Sequence, residues 1–202
     1  MGLKKVNKAM TDPDAHLAAR SRNGDNGALE LLFRRHVDRV WRYGWFVTRS
    51  REAAEEVVQE TFLRVAKSVA GFEGRSMFAT WLFAITRSAA MEWLRRKRQD
   101  QRRRTDSTIL RLVTSDDKNV AEGEEEEVRD AVRRAVAELP GAQRDAVILC
   151  ELVGKSIADA ANILGWGKSR VKVTLFRARR RLREMQQAHV ARVADRKYAE
   201  ET

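Results

Sequence analysis

The sequence predicts an all-α protein, two small helical domains joined by a flexible acidic linker, on three observations. Apolar residues recur at spacings of three and four along most of the chain, the period of a helix with one buried face. Only 2 prolines and 11 glycines interrupt 202 residues, and 34% of the residues are charged, a balance that favours helices over a turn-rich β protein. No segment shows the apolar/polar alternation of a half-buried strand.

Taken in order, residues 1–10 read as a flexible tail, and the first domain spans 11–100. Asp12 can cap a first helix, with Pro13 at its first position, and "RNGDNG" breaks it. A longer helix over about 26–47 places Leu29, Leu32, Phe33, Val37, Val40 and Trp41 on one stripe. A third helix follows the cap Ser50 and runs to about Val69. "GFEGRS" is a glycine-bounded loop, and a fourth helix starts near Ser76 and continues through "MFATWLFAITRSAAMEWLRRKR". Residues 101–124 lose the helical period and end in dense acid, the composition of a linker; the acids also suit the N-terminus of a following helix. A second domain spans 125–186. Its period resumes at Val128, "LPG" ends one helix, "AQRDAVILCELVG" follows, and Ser156 caps a short helix before a tight glycine turn. Residues 187–202 read as a C-terminal tail.

A formal net charge of +11 points to a polyanionic partner, nucleic acid or an acidic membrane surface. No apolar stretch is long enough for a bilayer. The opening "MGLKKVNKAM" has no apolar signal-peptide segment, and Val6 stands where a myristoylation signal wants Ser or Thr. The one cysteine, Cys150, reads as a small core residue, leaves no internal disulfide, and is consistent with a reducing cytosol. The chain has no phosphate loop, no metal-spaced His/Cys cluster and no nucleophile–base pair. Its histidines (His16, His36, His189) are scattered, and His36 in "FRRHVDR" is expected to be partly exposed. An enzyme is therefore not expected, nor a cofactor or metal.

The segment "GWGKSRVKVTLFRARRRLRE" carries the clearest functional signal. On a helical wheel Val171, Leu175, Ala178 and Leu182 share a narrow buried arc. The opposite arc holds Ser169, Val173, Phe176, Arg177, Arg180 and Arg183, with Lys172 beside it. Arginines there suit phosphates and guanine edges, and bare apolar side chains suit thymine methyls. The preceding short helix, burying Ile157, Ala160, Ala161 and Leu164, and the turn at residues 165–167 complete a helix-turn-helix. A solvated basic helix in a helical hairpin is the alternative for this segment alone. On the third helix Ala54, Val57, Val58, Phe62, Val65 and Val69 face inward. Glu52, Glu56, Gln59, Glu60, Leu63 and Lys67 face outward, which suits either a protein-docking surface or a solvated face.

Two longer stretches carry a family resemblance. "SREAAEEVVQETFLRV" followed by "FEGRSMFATWLFAITRSAAMEWLRRKR" resembles region 2 of extracytoplasmic-function (ECF) sigma factors of the sigma-70 family. "ELPGAQRDAVILCELVGKSIADAANILGWGKSRVKVTLFRARRRL" resembles their region 4, in the family's order and spacing. The resemblance implies a bacterial, cytoplasmic transcription initiation factor. Its partners would be promoter DNA and core RNA polymerase, through the largest subunit's clamp helices and the flap. An anti-sigma factor is a further possible partner; a membrane is not. It implies that Glu56, Gln59, Glu60 and Leu63 meet the clamp helices. It makes Phe72, Arg75, Phe78 and Arg87 candidates for holding strand-separated minus-ten DNA, with Arg95, Arg96, Lys97 and Arg98 gripping phosphate. Trp81, on the helix's apolar arc, reads as core. The family's minus-thirty-five contacts fall on Lys172, Val173, Phe176 and Arg177, with Arg170 nearby and Ser169 and Arg180 on the same arc. In the linker Asp116, Asp117, Glu122 and residues 124–127 suit either a path through a nucleic-acid channel or plain solubility. The chain departs from the usual Thr-Val-Lys-Ser-Arg by carrying Val173 and Thr174, and Ser88 stands where asparagine is common. A regulator acting without polymerase leaves the region 2 resemblance unexplained. A mimic that only titrates an anti-sigma factor needs no basic reading faces.

Overall fold

The computed structural model describes residues 12–105 and 124–200. The N-terminal tail, the greater part of the expected linker, and Asp116, Asp117 and Glu122 lie outside these residues. The described helices fall into two compact units, one built on α1 to α4 and the other on α5 to α8 apart from residues 162–165.

The first unit comprises α1 (Ala15–Arg22), α2 (Asn26–Thr48), α3 (Arg51–Ser68) and α4 (Phe78–Thr105), with a 3₁₀ turn at Val69–Gly71. Local chemistry sets the helix starts. The Asp25 carboxylate accepts from Ala28 N at 3.0 Å, and Ser50 Oγ accepts from Ala53 N at 3.3 Å, so both satisfy orphan amides of a first turn. Asp12 lies two residues further out than a cap of α1. Its carboxylate accepts from Asp14 N at 3.0 Å and from Phe78 N at 2.6 Å. It therefore joins the entry of α1 to the start of α4, and α1 begins after Asp14 instead. Arg49 closes α2 in a left-handed conformation, φ 63°, and its N–H donates to Trp45 O at 2.8 Å.

Leu32, Val40, Tyr43, Val57, Val65, Phe78, Leu82 and Phe83 are all but fully buried and form the core of this unit. A Cβ on Gly44 would lie 3.3 Å from Ala54 Cα and from Val57 Cβ, so glycine is what lets α2 and α3 approach here. His36 is not partly exposed as its charged neighbours suggest; it is 2% exposed. Its Nε2 lies 2.7 Å from Asp14 Oδ2, and Arg35 Nη1 donates to Asp14 Oδ1 at 2.5 Å. Burial pushes the Asp14 carboxyl up, but the bonds from His36 and Arg35 outweigh it and hold the group below its ordinary range. α4 runs to Thr105, past the expected boundary at 100, because "QDQRRRT" contains no helix breaker.

The second unit comprises α5 (Glu124–Ala137), α6 (Gly141–Val147) with a π turn at Ile148–Leu152, α7 (Ile157–Leu164) and α8 (Lys168–Glu200). The acid run at 124–127 opens α5 rather than extending the linker. The segment from 187 to 200, expected as a tail, continues α8; it too lacks proline and glycine. Val136, Leu139, Ile148, Leu149, Val171, Leu175 and Ala178 fill the core. Arg144 donates to Ala137 O at 2.8 Å and Leu139 O at 3.1 Å, which fixes the α5–α6 corner. Cys150 sits half-buried in the π turn, and burial pushes its thiol pKa up.

Candidate nucleic-acid interface

In the second unit α7 and α8 are joined by a turn whose Gly165 has φ 67°, a conformation that favours glycine. Ser156 Oγ accepts from Asp159 N at 3.1 Å and donates to the Asp159 carboxylate at 2.5 Å, which fixes the start of α7. Along α8 the expected buried arc is in place: Val171, Leu175 and Ala178 are buried and Leu182 is half-buried. Ser169, Arg170, Lys172, Val173, Phe176, Arg177 and Arg180 are all exposed. Val173 is 48% and Phe176 62% exposed, so two apolar side chains stand in solvent among cations. Arg179 is held back from that face by Glu151, 2.5 Å away.

The first unit corrects part of its candidate minus-ten surface. Phe72 and Phe78 are 7% and 0% exposed. Their rings meet edge to face at 5.7 Å, and half-buried Trp81 lies 5.0 Å from Phe72 and 5.6 Å from Phe78. These rings are a hydrophobic plug beneath the loop, since aromatic surface of that size is driven inward, and they present no face to a base. Of the remaining candidates Arg75 is exposed and paired with Glu73. Arg87 is half-buried, Arg95, Arg96 and Arg98 are exposed, and Lys97 lies 4.9 Å over the Trp93 ring.

On α3 Glu56, Gln59 and Leu63 are exposed, Leu63 by 56%, and Glu60 is half-buried. The acids are anchored. Trp93 Nε1 donates to Glu56 at 3.0 Å. Arg64 donates to Glu60 at 2.6 Å, to Glu92 at 2.5 Å and to Ser88 Oγ at 3.4 Å. The bond from Arg64, ahead of its charge, holds the Glu92 carboxyl below its ordinary range, and the bonds from Glu92 and then Glu60 raise the Arg64 guanidinium.

Comparison with known proteins decides what this arrangement is. Residues 32–99 match Sigma-70 region 2 and residues 129–182 match Sigma-70, region 4, together more than half of the chain. The chain is an ECF sigma factor of the sigma-70 family. It is 32% identical, over 84% of its own length and 82% of the relative's, to the ECF RNA polymerase sigma factor SigM of Mycobacterium tuberculosis. It is 30% identical to the ECF RNA polymerase sigma factor SigX of Bacillus subtilis, over 77% and 81% of the two chains. Two solved structures share the fold. One is CnrH in complex with the cytosolic domain of CnrY (TM-score 0.67, 20% identity, 90% of this chain and 98% of that one). The other is RpoE of Bartonella quintana in complex with the anti-sigma factor NepR (TM-score 0.59, 25% identity, 76% and 95%).

As a sigma factor the protein directs RNA polymerase to promoters. No described helix is long and apolar enough to cross a membrane, and no group of three or more His, Cys, Asp or Glu among the described residues could hold a metal ion. Sequence reasoning missed three features of this sigma factor: the Arg64 bridge between α3 and α4, the Trp93–Glu56 bond, and the Trp166 ring 4.3 Å beneath Arg170. The first had a faint signal in its Glu60 half, a partner four residues away on one helical face; the last had none, since Trp166 precedes the helix. The second links residues 37 apart and had none.

Proposed function

We propose that α8 is the helix with which this sigma factor reads the minus-thirty-five element in the major groove. Val173 and Phe176 would meet thymine methyls, Arg177 and Lys172 base edges and phosphate, and Ser169, Arg170 and Arg180 the flanking backbone. The observation that carries this is the exposure of Val173 and Phe176 on the basic arc. An apolar pair left in water on a helix that already buries its other face has an occupant. Val173, without the hydroxyl donor of the usual serine, shifts preference toward apolar base contacts.

In the first unit Arg75, Arg87 and the cations Arg95, Arg96, Lys97 and Arg98 engage minus-ten DNA through its phosphates, with Phe72 and Phe78 supporting the loop from below. The exposed leucine Leu63, ringed by Glu56, Gln59 and Glu60, docks on the clamp helices of the polymerase largest subunit, an apolar anchor with charge for steering. Catalysis then belongs to the polymerase, and the sigma factor acts in the cytoplasm by binding energy alone. An anti-sigma factor as a further partner is supported by the RpoE relative, solved in complex with the anti-sigma factor NepR.

Transcription in vitro with bacterial core polymerase and a randomised promoter library tests the reading. A recovered pair of spaced motifs is the expected result. A Phe176→Ala protein that returns the same upstream motif at the same strength would overturn the assignment of α8.

A further inference from the structure

Trp166 lies in the turn before α8, where its backbone N–H donates to Ala161 O at 2.9 Å. Its half-buried ring carries the Arg170 guanidinium, whose carbon sits 4.3 Å above the ring centroid. Arg170 is exposed, and no carboxylate among the residues whose side chains are described pairs with it. Two arginines farther along the helix differ: Arg179 is committed to Glu151, and Arg180 lies 3.5 Å from Glu184.

The distinction is chemical. An ion pair occupies the N–H edge of a guanidinium, the edge that binds phosphate. A ring occupies only its face and leaves the in-plane donors open. Stacking also restrains a side chain that otherwise loses much rotamer freedom on binding. From the helical period, Arg170 lies about 75° round from the centre of the arc formed by Ser169, Val173, Phe176, Arg177 and Arg180. That is the flank, where a recognition helix passes the sugar–phosphate backbone rather than base edges.

We propose that Trp166 is a positioning residue of the minus-thirty-five interface, a platform that holds Arg170 ready for a backbone phosphate. This rests on the reading of α8 as the minus-thirty-five helix. It assigns a role to a turn residue that lies outside the reading face.

The test uses holoenzyme reconstituted from the full chain and bacterial core polymerase, bound across a salt series to the duplex enriched from a randomised promoter library. Trp166→Leu keeps an apolar plug in the turn and removes the π face. It is expected to weaken binding about two- to fivefold, evenly across promoter sequences, and Trp166→Phe is expected to recover most of the loss. Arg170→Ala should weaken binding and flatten the salt dependence by about one unit of slope. Added to Arg170→Ala, the leucine substitution should then cost nothing more. Full affinity in Trp166→Leu, or the same loss with and without Arg170, overturns the inference. If Phe176→Ala and Arg177→Ala also leave affinity intact, or no duplex is enriched, the reading of α8 fails and the inference with it. If those two weaken binding while Trp166→Leu does not, the inference alone fails.

Discussion

Aromatic residues near the two proposed DNA surfaces differ in exposure. On α8 Phe176 stands 62% exposed; in the loop and first turn of α4 Phe72 and Phe78 are 7% and 0% exposed. The two surfaces are built on different logic. α8 has a full buried arc of its own, so a second apolar group on its other side has nothing in its own unit to pack against and stands in solvent. The loop before α4 has no regular face, and its aromatics serve as the plug that gives it shape. Sequence composition near a nucleic-acid surface is therefore an unreliable guide to which rings touch a base, and periodicity decides it.

That contrast is broken most directly by truncating one ring on each side. Phe78→Ala is expected to destabilise the first unit by about 3–5 kcal/mol, the cost of a large core cavity. Phe176→Ala should change stability by no more than about 0.5 kcal/mol while weakening promoter binding. Urea unfolding of the full chain beside a promoter-binding titration reads both. A Phe78→Ala protein of unchanged midpoint but impaired minus-ten opening would return Phe78 to the DNA surface.

The second contrast is between buried and exposed ion pairs. Asp14 is 1% exposed and holds His36 and Arg35, whereas Arg34–Glu30 on α2 lies in solvent. Asp14→Ala is expected to cost about 3 kcal/mol, because it strands a buried imidazole and one end of an arginine. The pH dependence follows from the lowered Asp14 pKa. The unfolded carboxyl titrates near about 3.9. Its contribution is thus fully present above that value and is lost as pH falls through the lower, folded one. In acid unfolding followed by circular dichroism, Asp14→Asn should flatten that limb. An unchanged limb assigns the acid sensitivity to other carboxylates.

The same two units show what a sequence reveals. The helices, the caps at Ser50 and Ser156, and the buried and exposed arcs of α3 and α8 were legible, since each depends on neighbours within about four residues; the Asp25 cap was not read, and Asp12, expected to cap α1, does not. Three kinds of feature were not legible. The burial of His36 needs Asp14, the residue before α1 and 22 residues away, and its charged neighbours argue the other way. Phe72 sits in the loop, where no period says which way a ring turns; Phe78, at the first residue of α4, shares the apolar arc of Trp81, Leu82 and Ile85, and its burial was legible there although the resemblance made it a DNA candidate. The extents of α4 and α8 were underestimated because charge-rich runs without breakers read equally well as tails.

At the recognition helix the expected effects are smaller. Arg177→Ala should weaken binding to a minus-thirty-five duplex by about 1–3 kcal/mol. On α3, Leu63→Asp should weaken capture of core polymerase by about 1–3 kcal/mol with helicity unchanged, since the side chain is 56% exposed. A pull-down with core enzyme and a far-ultraviolet spectrum decide the second. Undiminished capture removes α3 as the docking face and leaves its leucine an ordinary surface residue.

The smallest effect concerns the place where the proposed docking and DNA surfaces meet. Arg64 bridges Glu60 on the α3 face and Glu92 on α4, and reaches Ser88 one turn earlier on α4. The pairs are partly solvent-exposed, so each adds little to stability and less at high salt. What identifies a network is non-additivity. Arg64→Met and Glu92→Gln should each lower the melting temperature slightly, and the double variant should fall no further than the worse single one. The coupling should persist on mild acidification, because Arg64 holds the Glu92 carboxyl below its ordinary range and keeps it ionised. It should fade once pH falls through that lowered value. Strict additivity would leave α3 and α4 joined by their apolar core and the Trp93–Glu56 bond, with Glu60 and Glu92 electrostatically independent of each other.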